Sequence, residues 1–157
     1  MLIVEQGDGQ DPDANSYTSI QESEDFLLKL GYSEFPSETD LIQATLYIDT
    51  WLNPVSAIFD EDQPLLWPRK SFKDSQGRTV EGIPSELKRA TAIIAAEFIE
   101  SDLFDPSTGI TEEQYGNTRV KYAGVERSES GRVNGAMQRL KRLGYGSGSS
   151  SITLTRA

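Results

Sequence analysis

The sequence contains no cysteine and no histidine among its 157 residues. Without cysteine the chain cannot form disulfides, thiolate metal sites or a thiol nucleophile. Without histidine it lacks the commonest metal ligand and the usual general base near neutral pH. No glycine-rich phosphate loop follows a predicted strand either. We therefore predict that the protein is not an enzyme and has no catalytic residues and no cofactor.

Long hydrophobic runs are also missing from the chain. No stretch approaches the 18 or so consecutive apolar residues that a membrane-spanning helix needs, and the first ten residues, MLIVEQGDGQ, carry no basic segment of the kind that opens a secretion signal. The length fits one domain of ordinary size. We expect a soluble protein with no membrane partner and no signal for secretion.

Charge is divided unevenly along the chain. Residues 1–118 contain 7 Lys and Arg against 23 Asp and Glu, whereas residues 119–157 contain 8 Lys and Arg against 2 Asp and Glu. Such asymmetry indicates either an interaction tail or complementary surfaces within an assembly. An acidic, solvated body followed by a basic last helix explains the same numbers.

Apolar periodicity predicts a mainly α fold, a compact bundle of about four helices. Ser19 with Glu22 forms the pattern of a capping box before the first helix, and Gly31 follows its end. Leu30 and Trp51 belong to the apolar stripes of the first two helices and are expected to face the core. The predicted helices cover residues 20–30, 38–52, 87–103 and 133–143.

A long connection, residues 53–84, joins the second and third helices, with a turn at 75–78 and a strand at Thr79–Val80. It contains the sequence QPLLWPR at 63–69, in which two prolines enclose a Leu-Leu-Trp cluster. We interpret this stretch as a lid that ties the connection onto the core. Arg69 is expected to pair with the acidic residues 60–62. The lid residues are Leu66, Trp67, Pro68 and Arg69.

The last third of the chain differs from the rest in composition and residue pattern. Alternation of polar and apolar residues predicts a β segment at 118–125, and residues 118–132 are interpreted as a β hairpin or an extended arm. We assign residues 1–143 to one helical domain and residues 144–157 to a flexible Gly/Ser linker with a docking tail. When extended, this tail would reach about 45 Å. The alternative to a docking tail is a segment that is simply disordered. The residues predicted to dock are Ile152, Thr153, Leu154, Thr155 and Arg156.

Residues 11–22, DPDANSYTSIQE, place oxygen-bearing side chains at the spacing of an EF-hand calcium loop. The sixth position, however, is Ser16 where that loop requires glycine, and no helix enters it. We favour an Asx-rich turn that leads to a helix cap at Ser19, and calcium binding stays open as the alternative. The candidate ligands are Asp11, Asp13, Asn15, Tyr17, Ser19 and Glu22.

The basic region, residues 119–142, offers candidate contacts to another macromolecule. Phosphate contacts from these side chains could bind nucleic acid, although the region has few aromatics for base stacking and the acidic remainder would repel a polyanion. Contacts with neighbouring subunits are the other interpretation. The residues assigned to subunit or portal contacts are Arg119, Lys121, Arg132, Arg139 and Arg142, and the nucleic-acid interpretation adds Arg127 and Lys141.

Four segments in order resemble a known family of tailed-phage proteins. These are ANSYTSIQESEDFL (14–27), LIQATLYIDTW (41–51), QPLLWPR (63–69) and GIPSELKRATAIIAAE (82–97). Together they are similar to the head–tail adaptor or connector proteins, also called head completion proteins, some of which are labelled DnaT-like single-stranded-DNA-binding proteins. The likeness continues more loosely to RLKRLGYG at 139–146.

The resemblance implies a structural virion protein, made in the host cytoplasm, that forms a ring, commonly of twelve copies, between the portal and the tail. Its partners would be the portal protein, a tail or next connector protein and further copies of itself. Double-stranded DNA would pass through the ring without specific binding, which an acidic lumen favours. The C-terminal tail would reach the portal. The alternative is a single-stranded-DNA-binding replication accessory protein.

Overall fold

The computed structural model describes residues 1–99, 112–115, 118–121 and 131–146 of the chain. Within these residues the fold is mainly α, as predicted, with four helices and two short antiparallel hairpins. The helices are α1 (Ile20–Lys29), α2 (Glu38–Trp51), α3 (Ser85–Phe98) and α4 (Gly131–Arg142). The predicted docking tail, residues 152–156, lies outside the described residues, and the division at 143 stays a prediction.

Capping residues determine where α1 and α2 begin. The Ser19 hydroxyl accepts from the backbone N–H of Glu22, whose side chain accepts in return from the Ser19 backbone, so the predicted capping box is confirmed. Ser37 and Asp40 form the same arrangement before α2. Each cap satisfies backbone donors that the first helical turn leaves unpaired. Gly31 follows α1 with φ of 86°, a conformation that glycine adopts without strain.

The strands are β1 (Phe72–Lys73), β2 (Thr79–Val80), β3 (Glu112–Tyr115) and β4 (Thr118–Lys121). In each hairpin the two strands are antiparallel, β1 with β2 and β3 with β4. The predictions of β2, of the turn before it and of a strand starting at 118 are confirmed. The partner strands β1 and β3 were not predicted, and residues 122–125 lie outside the described part.

Helix α3 occupies the centre of the bundle, and α1, α2 and α4 each pack against it. Its sequence allows this position because alanine and isoleucine cover most of its circumference. The apolar side of α4, Val133, Met137 and Leu140, is buried as its spacing predicts. The largest fully buried apolar side chains are Trp67, Tyr17, Leu27, Leu41, Ile48, Leu87, Ile94, Leu140 and Val133.

Three details of the predicted helices are wrong. Helix α3 ends at Phe98 rather than near 103. The carboxylate of Glu97 in its last turn opposes the helix dipole, and no basic residue there offsets it. Trp51 is 57% exposed, since it is the last residue of α2 and the apolar stripe runs past the edge of the core there. Leu30 is 52% exposed because it follows the last turn of α1.

None of the helices in the described ranges has the combination of length and hydrophobicity that crossing a bilayer requires.

The N-terminal residues pack against the turn before α3. The Glu5 carboxylate is buried and accepts hydrogen bonds from the backbone N–H groups of Gly7 and Gly9. Gly7 has φ of 94°, and a Cβ atom placed there would lie 3.0 Å from the Cα of Gly82. The close approach of two backbones therefore requires glycine at position 7.

We expect Gly7→Ala to lower the free energy of unfolding more than Gly31→Ala does. Both changes impose a positive φ on alanine, which costs about 1–2 kcal/mol, but only position 7 adds a clash with backbone, since no atom lies within 4 Å of a Cβ at Gly31. Urea unfolding of the two variants measures the difference. Equal losses would show that the backbones at 7 and 82 separate freely.

Candidate interaction surfaces

The QPLLWPR stretch places Trp67 in the core of the bundle. The indole is fully buried and makes edge-to-face contacts with Phe72, at 4.7 Å between ring centroids, and with Tyr145, at 5.5 Å. Phe72 belongs to β1 in the same connection and Tyr145 follows α4, so the Trp67 side chain joins the connection to the end of α4. Leu66 is half-buried beside this cluster, and Pro68 is buried after a cis peptide bond.

Gln63 holds the connection in shape, a role that sequence reasoning missed. Its side-chain oxygen accepts from the backbone N–H groups of Phe59 and Asp60 at 2.8 and 3.0 Å. Its amide nitrogen donates to the carbonyls of Leu65 and Pro68 at 2.7 and 3.1 Å. One amide thus satisfies four backbone groups on both sides of the Leu-Leu-Trp cluster. A glutamine just before a proline gives no local signal of this role.

Asp49 anchors the same stretch from helix α2. Its carboxylate accepts from the Tyr17 hydroxyl in a short hydrogen bond and from the Leu66 backbone N–H at 3.1 Å. Burial, the largest cause, raises the pKa of Asp49 to about 6, although these hydrogen bonds and Arg69 act in the opposite direction. Burial and the nearby carboxylate also raise the pKa of Tyr17, so the hydroxyl remains a donor. In the sequence, the sign of this anchoring role is that Asp49 is the one acidic residue in the apolar second half of α2.

Arg69 does not pair with the acidic residues 60–62, so that prediction is wrong. It is buried, and its Nη1 donates to the carbonyl of Ser56 at 2.5 Å. Burial lowers the pKa of the Arg69 guanidinium, while Tyr17 and Asp49 act to raise it. The backbones of Ile58 and Arg69 form an isolated antiparallel β-bridge, which brings Arg69 close to Ser56. Residues 60–62 remain exposed, and their charges face solvent.

The residues of the calcium-like spacing have other partners. Asp11 accepts from the backbone N–H of Asp13, an Asx turn, and the Asn15 side chain accepts from Ile3. Tyr17 points into the core, where it meets Asp49. With the Ser19–Glu22 cap, these bonds confirm the Asx-turn interpretation. Within the described ranges, no group of three or more acidic side chains is arranged to hold a metal ion.

Two of the predicted basic contact residues are paired inside the protein. Arg139 of α4 donates to Glu86 at 2.7 Å, and Arg132 lies 3.5 Å from Glu97 with its guanidinium over the ring of Tyr32. These pairs link α4 to α3 across partly exposed surface. Arg142 is exposed at the end of α4. Arg119 and Lys121 belong to β4, where only the backbone is described.

Large apolar side chains are exposed around the end of α2 and the residues after it. We call Trp51, Val55 and Phe59 the apolar knob; they are 57, 79 and 42% exposed. Leu46 and Ile58 are exposed beside a shallow apolar cleft in the same part of the protein. Single exposed hydrophobic residues are ordinary on soluble proteins, whereas several within one stretch indicate an interaction surface.

A second apolar surface is concave. We call it the three-helix groove; it has a volume of about 210 Å³ and lies between α1, α3 and α4. It shares no residue with the knob. Its edge carries Glu86, Arg89 and Arg139, with Arg89 over the ring of Phe26. The apolar lining is formed by Phe26, Leu30, Ala90, Ile93, Ala136 and Leu140.

Comparison with protein families places the chain in one of them. The family model described as "Putative DnaT-like ssDNA binding protein" matches residues 1–157, so the chain belongs to that family. Neither the curated proteins nor the solved structures include a significant match. The match confirms the DnaT-like label within the resemblance, and the head–tail adaptor stays a prediction.

Proposed function

We propose that this protein is a structural virion protein, a head–tail adaptor that forms a ring between portal and tail and continues the DNA channel. The observation that carries the proposal is the pair of exposed apolar surfaces, the knob and the groove, on an otherwise charged chain. Surfaces of this kind are suited to stable contacts with protein. Two different surfaces on one chain allow each copy to contact two neighbours, as a ring requires.

The overall charge supports the same proposal. A net charge of −10 repels a DNA duplex and keeps it mobile in a channel. Under this proposal, residues 152–156 dock on the portal and the basic residues 119 and 121 contact a neighbouring subunit or the portal. The ring of twelve copies, the tail-side partner and the location in the virion belong to the proposal as well.

A second candidate function is single-stranded-DNA binding in replication. The description of the family and the basic character of α4 favour it. Two features weigh against it. Glu97 and Glu86 partly neutralise Arg132 and Arg139. Trp51, the exposed tryptophan, is the last residue of α2 and does not belong to the basic helix α4, as a residue that stacks on bases beside a phosphate backbone would be expected to.

Fluorescence anisotropy with labelled oligo-dT separates the two functions. For an adaptor we expect no saturable binding at low salt, since the acidic surface repels the strand. A single-stranded-DNA-binding protein would bind tightly and lose affinity steeply as salt rises, because phosphate contacts release counterions. Arg142→Glu serves as a matched variant, since it removes an exposed α4 cation. Tight binding that this variant weakens would contradict the adaptor proposal.

A further inference from the structure

We infer that the apolar knob of one copy inserts into the three-helix groove of a second copy, so that identical chains join head to tail. The inference rests on the proposed function, because it names the contact through which the ring would form. It commits to a second copy of this chain as the occupant of the groove. Three properties of the two surfaces carry it: their apolar character, their charge and their independence.

Both surfaces are apolar. The knob residues lie at the end of α2 and in the loop after it, with Val55 79% exposed and Trp51 57% exposed. The groove is an open depression whose inner surface is formed by apolar side chains of three packed helices. Aromatic side chains that insert into such depressions typically supply most of the binding energy of an interface. Trp51 and Phe59 are aromatic residues of this kind.

The charges around the two surfaces are opposite. Asp60, Glu61 and Asp62 directly follow the knob and are exposed, with Lys70 as a nearby cation over the ring of Phe59. The groove has Arg89 and Arg139 at its edge against one carboxylate, Glu86. Helix α4, which forms one side of the groove, contains four cations and no acidic residue: Arg132, Arg139, Lys141 and Arg142. Opposite potentials steer association and fix the register of two surfaces.

The two surfaces are also independent on each chain. The knob lies on α2 and the connection, whereas the groove belongs to α1, α3 and α4, and the two share no residue. One copy can therefore use its knob and its groove at the same time. A contact between two different surfaces generates a closed ring or an open helix of copies rather than a two-fold dimer.

Disulfide trapping tests this contact directly because the chain has no cysteine of its own. Val55→Cys places one thiol on the knob and Leu30→Cys places one at the groove; both positions are exposed, so the fold should tolerate the changes. We expect the mixture of these two variants to form a covalent dimer under mild oxidation at high protein concentration. Its yield should exceed by at least about tenfold that of Asp13→Cys mixed with Leu30→Cys, since a disulfide requires closely placed Cα atoms.

Each variant alone provides the control for symmetry. A two-fold interface would cross-link Val55→Cys to itself, and that result would overturn the head-to-tail contact. A mixture no more cross-linked than the Asp13→Cys control would overturn it as well. One chain carrying both changes should give a ladder of covalent oligomers whose largest closed member counts the subunits.

The cross-linking result and the test of the proposed function can fail independently of each other. If the wild-type protein assembles on a portal but the cysteine pair does not cross-link, the knob and groove are not the contact and the adaptor function stands. If the pair cross-links and no portal binding occurs, the contact stands and the adaptor function fails.

Discussion

Trp67→Ala is expected to lower the free energy of unfolding by about 3–5 kcal/mol, the range for removal of a large buried aromatic side chain. The indole is fully buried between Phe72 and Tyr145, so its loss leaves a cavity where the connection, the first hairpin and the end of α4 meet. These rings also lose edge-to-face contacts, each worth about 0.5–1.5 kcal/mol beyond burial. Urea unfolding followed by circular dichroism measures the change.

Trp51→Ala is the matched control, since it removes the chain's other tryptophan from an exposed position. We expect it to change stability by only about 0.5 kcal/mol, as surface substitutions usually do, and to weaken self-association if the knob is an interface. A Trp67→Ala protein with wild-type stability that failed to assemble would overturn the lid interpretation in favour of an interface anchor.

Asp49→Asn is expected to change how stability depends on pH. Burial raises the pKa of Asp49 to about 6 in the folded protein, whereas an aspartate in an unfolded chain titrates near 3.8. The folded state therefore binds this proton more tightly than the unfolded state. The stability that the proton contributes is fully present below about pH 4 and is lost as the pH rises to about 6. Its size is at most about 3 kcal/mol.

The variant and the wild type should be compared by urea unfolding at several pH values. Between pH 4 and 7 the difference in unfolding free energy should move by up to about 3 kcal/mol in favour of Asp49→Asn. From pH 7 to 9 it should stay constant, because the carboxyl is then ionised in both states of the wild type. A difference that stays constant from pH 4 to 7 would contradict a buried Asp49 carboxyl with a raised pKa.

Local chemistry explains which parts of the fold could be predicted. Ser19 with Glu22 and Ser37 start helices through contacts three residues apart, and Gly31 stops one at the next turn. The apolar spacing of α4 likewise identified its buried side. These features depend on neighbours in sequence, so the bounds of α1, α2 and α4 lie within two residues of the predicted ones.

Contacts between distant residues explain what could not be predicted. Asp49 meets a tyrosine 32 residues earlier and a backbone N–H 17 residues later, and no local pattern encodes such a pair. Strand β1 has only two residues and is recognisable only beside β2. Arg69 has acidic neighbours in sequence, yet folding directs it to the carbonyl of Ser56.

The candidate surfaces were still harder to foresee. Trp51 fits the apolar stripe of α2, and only the position of the helix end relative to the core leaves it exposed. The three-helix groove combines residues from α1, α3 and α4, which are separated by long stretches of chain. Basic residues on α4 were recognisable from sequence, but their partners Glu86 and Glu97 on α3 were not.

The mass of the purified protein mixed with the portal protein that the proposal implies tests the adaptor proposal most directly. Full-length protein should form a ring on the portal, visible by native mass spectrometry, and a version truncated before residue 146 should lose that complex if the tail is the anchor. The mass would also give the subunit count. A protein that stays monomeric, ignores the portal and binds single-stranded DNA would contradict the account.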